Sequence, residues 1–247
     1  MLISVNLNFA DCVMAGCILL YSFVNLYYDG MFGIVADQWR HSLPCFALES
    51  MFLISSQVSL LSAVYMSLHF AVYIPSIVRR EASKSIVYLL IVLGWILIGA
   101  LCIAFRYLKY RNNEDPTNYF CLPFIMSVSS STSSFILDTL LIVLDYCMVT
   151  VCVVSHIYLL TFIIKQRSAA MLKGLSKRHN MLQQVALRMT VLIIGSTVTW
   201  MPILLIQTVI LLDISLQPHA IFWVVLICFP ANLILEPLLI IKQVRKA

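Results

Sequence analysis

The chain has 247 residues, 62% of them apolar and only 11% charged, with a net charge of +5 and a mean hydropathy of +0.97. A soluble domain carries about 25% charged residues, so a soluble enzyme is excluded. Disorder is excluded by the hydrophobicity, and eight cysteines are too sparse for a disulfide-stapled secreted module. Lipid is the solvent for most of this sequence.

A helix needs ~20 mostly apolar residues to cross ~30 Å of hydrocarbon. Six windows qualify: 2–26, 44–74, 85–105, 135–164, 189–212 and 220–241. The expected fold is an all-α membrane protein, a single bundle of six transmembrane helices over residues 1–247. The first window begins at Met1 but has no basic flank, and Asn6, Asn8 and Asp11 interrupt it, so a cleaved signal is not expected. Glu49 and His69 fall in the second window, with Glu49 one turn below Cys45 and expected at the aqueous mouth. The third and fifth windows carry no charge. In the fourth lie Asp138, Asp145 and His156. The two acids are one heptad apart and share a face, either lining a ligand cavity or turned inward for packing. The long second and fourth windows must tilt or project beyond the bilayer.

Basic residues set the orientation. Arg79, Arg80 and Lys84 precede the third window, the loop 165–188 holds Lys165, Arg167, Lys173, Lys177, Arg178 and Arg188 with no acid, and the tail 242–247 adds three more. Twelve of the sixteen cations thus share one side, which places both termini in the cytoplasm and makes the protein multi-pass. Attraction of the basic loop to anionic lipid is worth ~1 kcal/mol per cation near the surface. Six cysteines fall inside spans as small packing residues. Cys45 and Cys121 alone reach the outer face, which argues for a disulfide there. No phosphate loop, metalloprotease helix or nucleophile elbow is present. His41, His69, His156, His179 and His219 show no ligand spacing. No catalysis, cofactor, resident metal or nucleic-acid partner is expected.

Several local motifs then converge. Asn6-Leu7-Asn8-Phe9-Ala10-Asp11 resembles the Asn-Leu-x-x-Ala-Asp that opens the second helix of rhodopsin-like G-protein-coupled receptors. Cys45, Trp95, Cys121, Trp200-Met201-Pro202 and Glu236-Pro237 follow in that family's order. Ser55-Ser56-Gln57-Val58-Ser59, Asn118-Tyr119-Phe120-Cys121-Leu122-Pro123 and Phe229-Pro230-Ala231-Asn232 resemble the leucine-rich-repeat hormone receptors, in particular the relaxin-receptor-like branch. In that branch a repeat-bearing ectodomain captures a peptide or protein hormone, and the bundle relays the signal to a heterotrimeric G protein at the plasma membrane. The six windows match helices two to seven, so the family's first helix and ectodomain have no counterpart here. A fragment or truncated version is the expectation.

The resemblance assigns Asp11, Ser59 and Asn232 to a sodium-binding polar core. Glu236 lies one turn from Asn232 on the same face, so it is expected to form a coupled pair with Asp11, neutralised by one sodium ion or a shared proton. Trp200 with Pro202, and Pro237, are expected as the pivot that opens the inner face. Arg79, Arg80, Lys165, Lys177 and Arg178 would form the G-protein face. Three departures bear on mechanism. His69-Phe70-Ala71 stands where the family has acid-Arg-aromatic, Glu236-Pro237-Leu238-Leu239-Ile240 replaces Asn-Pro-x-x-Tyr, and His156 replaces a tyrosine. The expected function is the transmembrane domain of a peptide- or protein-hormone receptor with weakened coupling. The alternatives are a truncated non-signalling receptor fragment, or a small ion transporter or channel using Asp11, Asp138, Asp145 and Glu236.

Overall fold

The computed structural model describes residues 2–28, 39, 42–73, 84–111, 132–171, 195, 197 and 200–212. Four long helices and one short one account for nearly all of them: α1 (Leu2–Tyr27), α2 (Leu43–Tyr73), α3 (Lys84–Arg111), α4 (Thr132–Met171) and α5 (Trp200–Leu211). No strand occurs among the described residues. Helices are the solution lipid imposes, because each backbone N–H and C=O must find its partner within the segment.

Stretches of α1 to α4 are long and apolar enough to cross a membrane: Leu2–Val24, Leu43–His69, Ser85–Ala104 and Thr139–Phe162. They coincide with the first four expected windows. Two helices outrun their windows. Beyond residue 105, α3 continues to Arg111, and α4 runs for 40 residues, about 60 Å at helical rise. Their polar ends therefore stand outside the hydrocarbon. Of the fifth window, the structure describes α5 and isolated residues before it. The sixth window, 220–241, lies outside the described residues.

The central helix is α2, which packs against α1, α3 and α4. Within an 18-residue stretch of its span 72% of residues are buried, against 6% for such a stretch of α3, so α3 is a rim helix facing lipid. Polar contacts fix the directions. Asn6 meets Ser62 while Asp11 meets Ser59, so α1 and α2 are antiparallel. Gln57 meets Asp145, and Ala63 and Val64 pack with Cys152, so α2 and α4 are parallel. Tyr146 reaches Thr208 on α5, whereas Val149 shares a core with Leu204 and Trp200, so α5 returns against α4. The helices alternate in direction, as successive crossings must.

The core joins Met14 and Cys17 of α1, Phe52 and Leu60 of α2, Val149 of α4, and Trp200, Ile203 and Leu204 of α5. Close approach depends on small residues, since lipid supplies no hydrophobic drive between helices. Six serines of α2 are buried. Five donate to their own helix: Ser50 to Phe46, Ser55 to Phe52, Ser56 to Leu53, Ser62 to Val58 and Ser67 to Ala63, at 2.7–3.0 Å. Back-bonding of this kind satisfies a hydroxyl where no water is available. Gly94 of α3 serves the same closeness, since a Cβ there would stand 3.3 Å from Leu61 Cδ2.

Candidate functional site

The sixth buried serine behaves differently. Ser59 turns its hydroxyl across the interface and donates to Asp11 Oδ1 at 2.7 Å, with Asp11 only 5% exposed. Asp11 lies ~14 Å from the start of α1 at helical rise, deep in the span, where an acid is costly and marks function by default. The structure brings together these two members of the expected polar core. Asn232 and Glu236 lie outside the described residues.

A second polar chain sits beside the first. Trp95 Nε1 donates to Asn6 Oδ1 at 2.8 Å, Asn6 Nδ2 donates to Ser62 Oγ at 2.7 Å, and Ser62 Oγ donates to the Val58 carbonyl at 2.7 Å. Both halves of the Asn6 amide are thus used, tying the rim helix α3 through α1 to the centre. Phe9 adds an edge-on contact with the Trp95 ring at 5.7 Å. The sequence marks Asn6 and Trp95 individually; their contact depends on the rotation of two helices, which no spacing encodes.

A third cross-link joins α2 to α4. Gln57 Nε2 donates to Asp145 Oδ2 at 3.2 Å, with both residues buried. A glutamine in mid-span was the available signal, because intramembrane polar groups seek one another. The structure turns Asp145 into the bundle; the side chain of Asp138 lies outside the described residues. His156 is also buried, and neither ring nitrogen has a hydrogen-bond partner.

Glu49 requires a correction. The sequence places it at the aqueous mouth, yet it is 1% exposed. The reason is its helix: α2 is packed on three sides, so a residue one turn inside its start is already covered.

Trp200 is 3% exposed and forms part of the core with Met14 and Phe52, while Pro202 is half-buried. At the far end of α2, His69 borders a cavity of about 270 Å³ lined by Tyr65, Leu68, Ile86, Val87 and Leu90. Phe70 continues the helix, but its side chain lies outside the described residues, as do Arg79, Arg80, Lys177, Arg178 and Pro237 wholly. Lys165 is exposed near the end of α4. Cys45 is buried in the first turn of α2 and is not among the free thiols of the described residues; Cys121 lies outside them. Cys17, Cys102 and Cys152 are buried as packing residues, whereas Cys12 and Cys147 face outward. No group of three or more His, Cys, Asp or Glu able to hold a metal occurs among the described residues.

No family model matches the chain. Mouse relaxin receptor 1 is 24% identical over 241 residues, covering 95% of this chain and 31% of the receptor. Dog relaxin receptor 2 is 23% identical over 93% of the chain, and human relaxin receptor 1 is 23% identical over 95%. Its homologues are relaxin receptors. These are receptors, not enzymes. The chain spans about a third of the length of the relaxin receptors it matches, over their membrane-spanning region. With its apolar helices, that likeness makes it a multi-pass membrane protein resembling the transmembrane region of a hormone receptor.

Proposed function

We propose that this chain is the transmembrane domain of a G-protein-coupled receptor for a peptide or protein hormone, carrying an outside signal across the plasma membrane. The observation that carries this reading is the match to relaxin receptors along 93–95% of the chain. The polar contacts of Asp11 with Ser59 and of Asn6 with Trp95 are consistent with it, because they join the same motif residues that carry the resemblance. On this reading hormone is captured by an ectodomain outside this sequence, and a heterotrimeric G protein docks at the cytoplasmic face formed by Arg79, Arg80, Lys165, Lys177 and Arg178. The C-terminus is cytoplasmic. A Cys45–Cys121 bridge ties the outer loop to α2, and one sodium ion or shared proton sits between Asp11 and Glu236 with Ser59 and Asn232 beside it. Trp200, Pro202 and Pro237 form the pivot between closed and open inner faces, whose populations the hormone shifts.

One observation favours a second reading. His69-Phe70 replaces the acid-Arg pair, and a phenyl ring cannot supply the charged, forked donors of an arginine. A bundle that traps other receptors without signalling would tolerate that loss. Nucleotide exchange on purified G proteins, with the chain in lipid nanodiscs, separates the two. A signalling domain gives weak exchange that Phe70→Arg raises several-fold. No exchange from either protein favours the non-signalling fragment.

A further inference from the structure

The register of α4 and α5 is fixed by one hydrogen bond. Thr208 Oγ1 donates to the Leu204 carbonyl at 2.7 Å, so the 3.0 Å contact with Tyr146 has the tyrosine hydroxyl as donor. The residues just before this pair, Asp145 and Gln207, therefore stand at the same level on adjoining helices. Both are buried, at 1% and 3% exposure. Each also holds an oxygen with no hydrogen-bond partner: Asp145 Oδ1 and Gln207 Oε1. The other carboxyl oxygen of Asp145 is held by Gln57.

Two buried acceptors left open at a similar depth are costly in a bundle. They call for a donor, and Asp145 calls for a positive one. No Lys or Arg is among the buried residues described. A metal ion is a poor match, since no metal-binding cluster occurs among the described residues and hard cations take six or more oxygens. An ammonium or guanidinium group fits better: it carries several N–H donors and no acceptor, and its charge-assisted bonds to a carboxylate are the strong kind. Asp145 lies ~9 Å from the start of its membrane span and Gln207 ~6 Å from the end of α5 at helical rise. A long basic side chain or an alkylamine spans that depth from the same end of the bundle.

We propose that Asp145 and Gln207, with Gln57 orienting the carboxyl group, form a binding site for an organic cation, distinct from the Asp11–Ser59 contact. The cation is the protonated amine of a small molecule or the basic side chain of a peptide, entering at the end where α4 begins.

The test is thermal unfolding of the full chain in nanodiscs, titrated with n-butylammonium chloride. n-Butanol serves as the neutral isostere and sodium chloride as the metal control. N-acetyl-lysine amide supplies the peptide-borne cation. The expected result is a saturable rise in Tm with butylammonium and none with butanol. Asp145→Asn keeps the shape and the Gln57 contact and should weaken the apparent affinity at least tenfold; Gln207→Met should weaken it several-fold. Asp11→Asn should leave the response in place. A response to acetyl-lysine amide as well assigns the site to a peptide side chain, and a response to butylammonium alone assigns it to a free amine. Should the wild-type chain show no rise with butylammonium, should sodium produce the same rise in Asp11→Asn, where the proposed sodium site is removed, or should Asp145→Asn respond to butylammonium as wild type does, the site is not one for organic cations.

Discussion

Asn6 shows how much one side chain can hold in a medium without water. Its amide accepts from Trp95 on α3 and donates to Ser62 on α2, so one residue of α1 joins three helices. In water such a bond contributes about 1 kcal/mol net, and cross-helix bonds in membranes average about 0.6 with a maximum near 1.7 kcal/mol. Asn6→Leu breaks two at once, leaves the Trp95 indole N–H unpaired, and should cost about 1–2 kcal/mol. Trp95→Phe breaks one and should cost roughly half of that. Ser59→Ala strips Asp11 of the hydroxyl that reaches its Oδ1 and should cost at least as much as Trp95→Phe, because the bond serves a carboxyl group. Unfolding of the four proteins in detergent would rank them. Trp95→Phe proving worse than Asn6→Leu would mean that the indole matters for packing rather than for the bond. The sequence marks Asn6, Asp11 and Trp95 by type, since polar groups in apolar windows stand out. It marks Gln57 and Asp145 in the same way but does not pair them, because that contact depends on how α2 and α4 are rotated, and two parallel helices of low amphipathicity leave rotation unspecified by pattern.

Among the elements, α2 and α3 make a useful contrast. Both windows are apolar enough to cross a membrane, α2 the less so, yet one is the axis of the bundle and the other its rim. Composition does carry the distinction. Small hydroxyl residues crowd α2, and large aliphatics crowd α3, with Leu89, Leu93, Ile96, Leu97 and Leu101 all exposed on the lipid face. Serine content, and the lower hydropathy that goes with it, thus identify the central helix. Ser55 and Ser56 have no exposure at all, so there is no room for a larger group. Ser55→Leu should cost about 1–3 kcal/mol through overpacking, whereas Leu97→Ala, 61% exposed to lipid, should change unfolding by less than about 0.5 kcal/mol. Equal effects would mean that α2 is not the helix on which the others close. Helix lengths were less legible: α3 and α4 run past their apolar windows because backbone bonding continues where hydropathy stops.

For the molecule as a whole, the proposed sodium ion makes stability a function of salt. An ion that binds only the folded bundle adds about 2.7 kcal/mol at one hundred times its Kd. Tm should therefore climb with sodium chloride and level off, and potassium chloride at equal ionic strength should give a smaller rise. Ser59→Ala and Glu236→Asn should each flatten the curve. A sodium response unchanged by both substitutions would place the ion elsewhere. The alternation of helix direction was legible in the sequence, since basic loops lie at every second turn. The deep polar contacts that assemble the bundle were legible only as unpaired candidates.

The five serines of α2 that bond to their own backbone carry a mechanical consequence. A hydroxyl satisfied within its helix keeps its partner however that helix slides or rotates, so most of the polar surface of α2 resists no movement. What resists, among the described residues, includes the pins Ser59 to Asp11, Ser62 to Asn6 and Gln57 to Asp145. The first two hold α1 and the third holds α4. With α2 as the shaft, the catches among the described residues that hold α1 to it are thus separate from the one that holds α4.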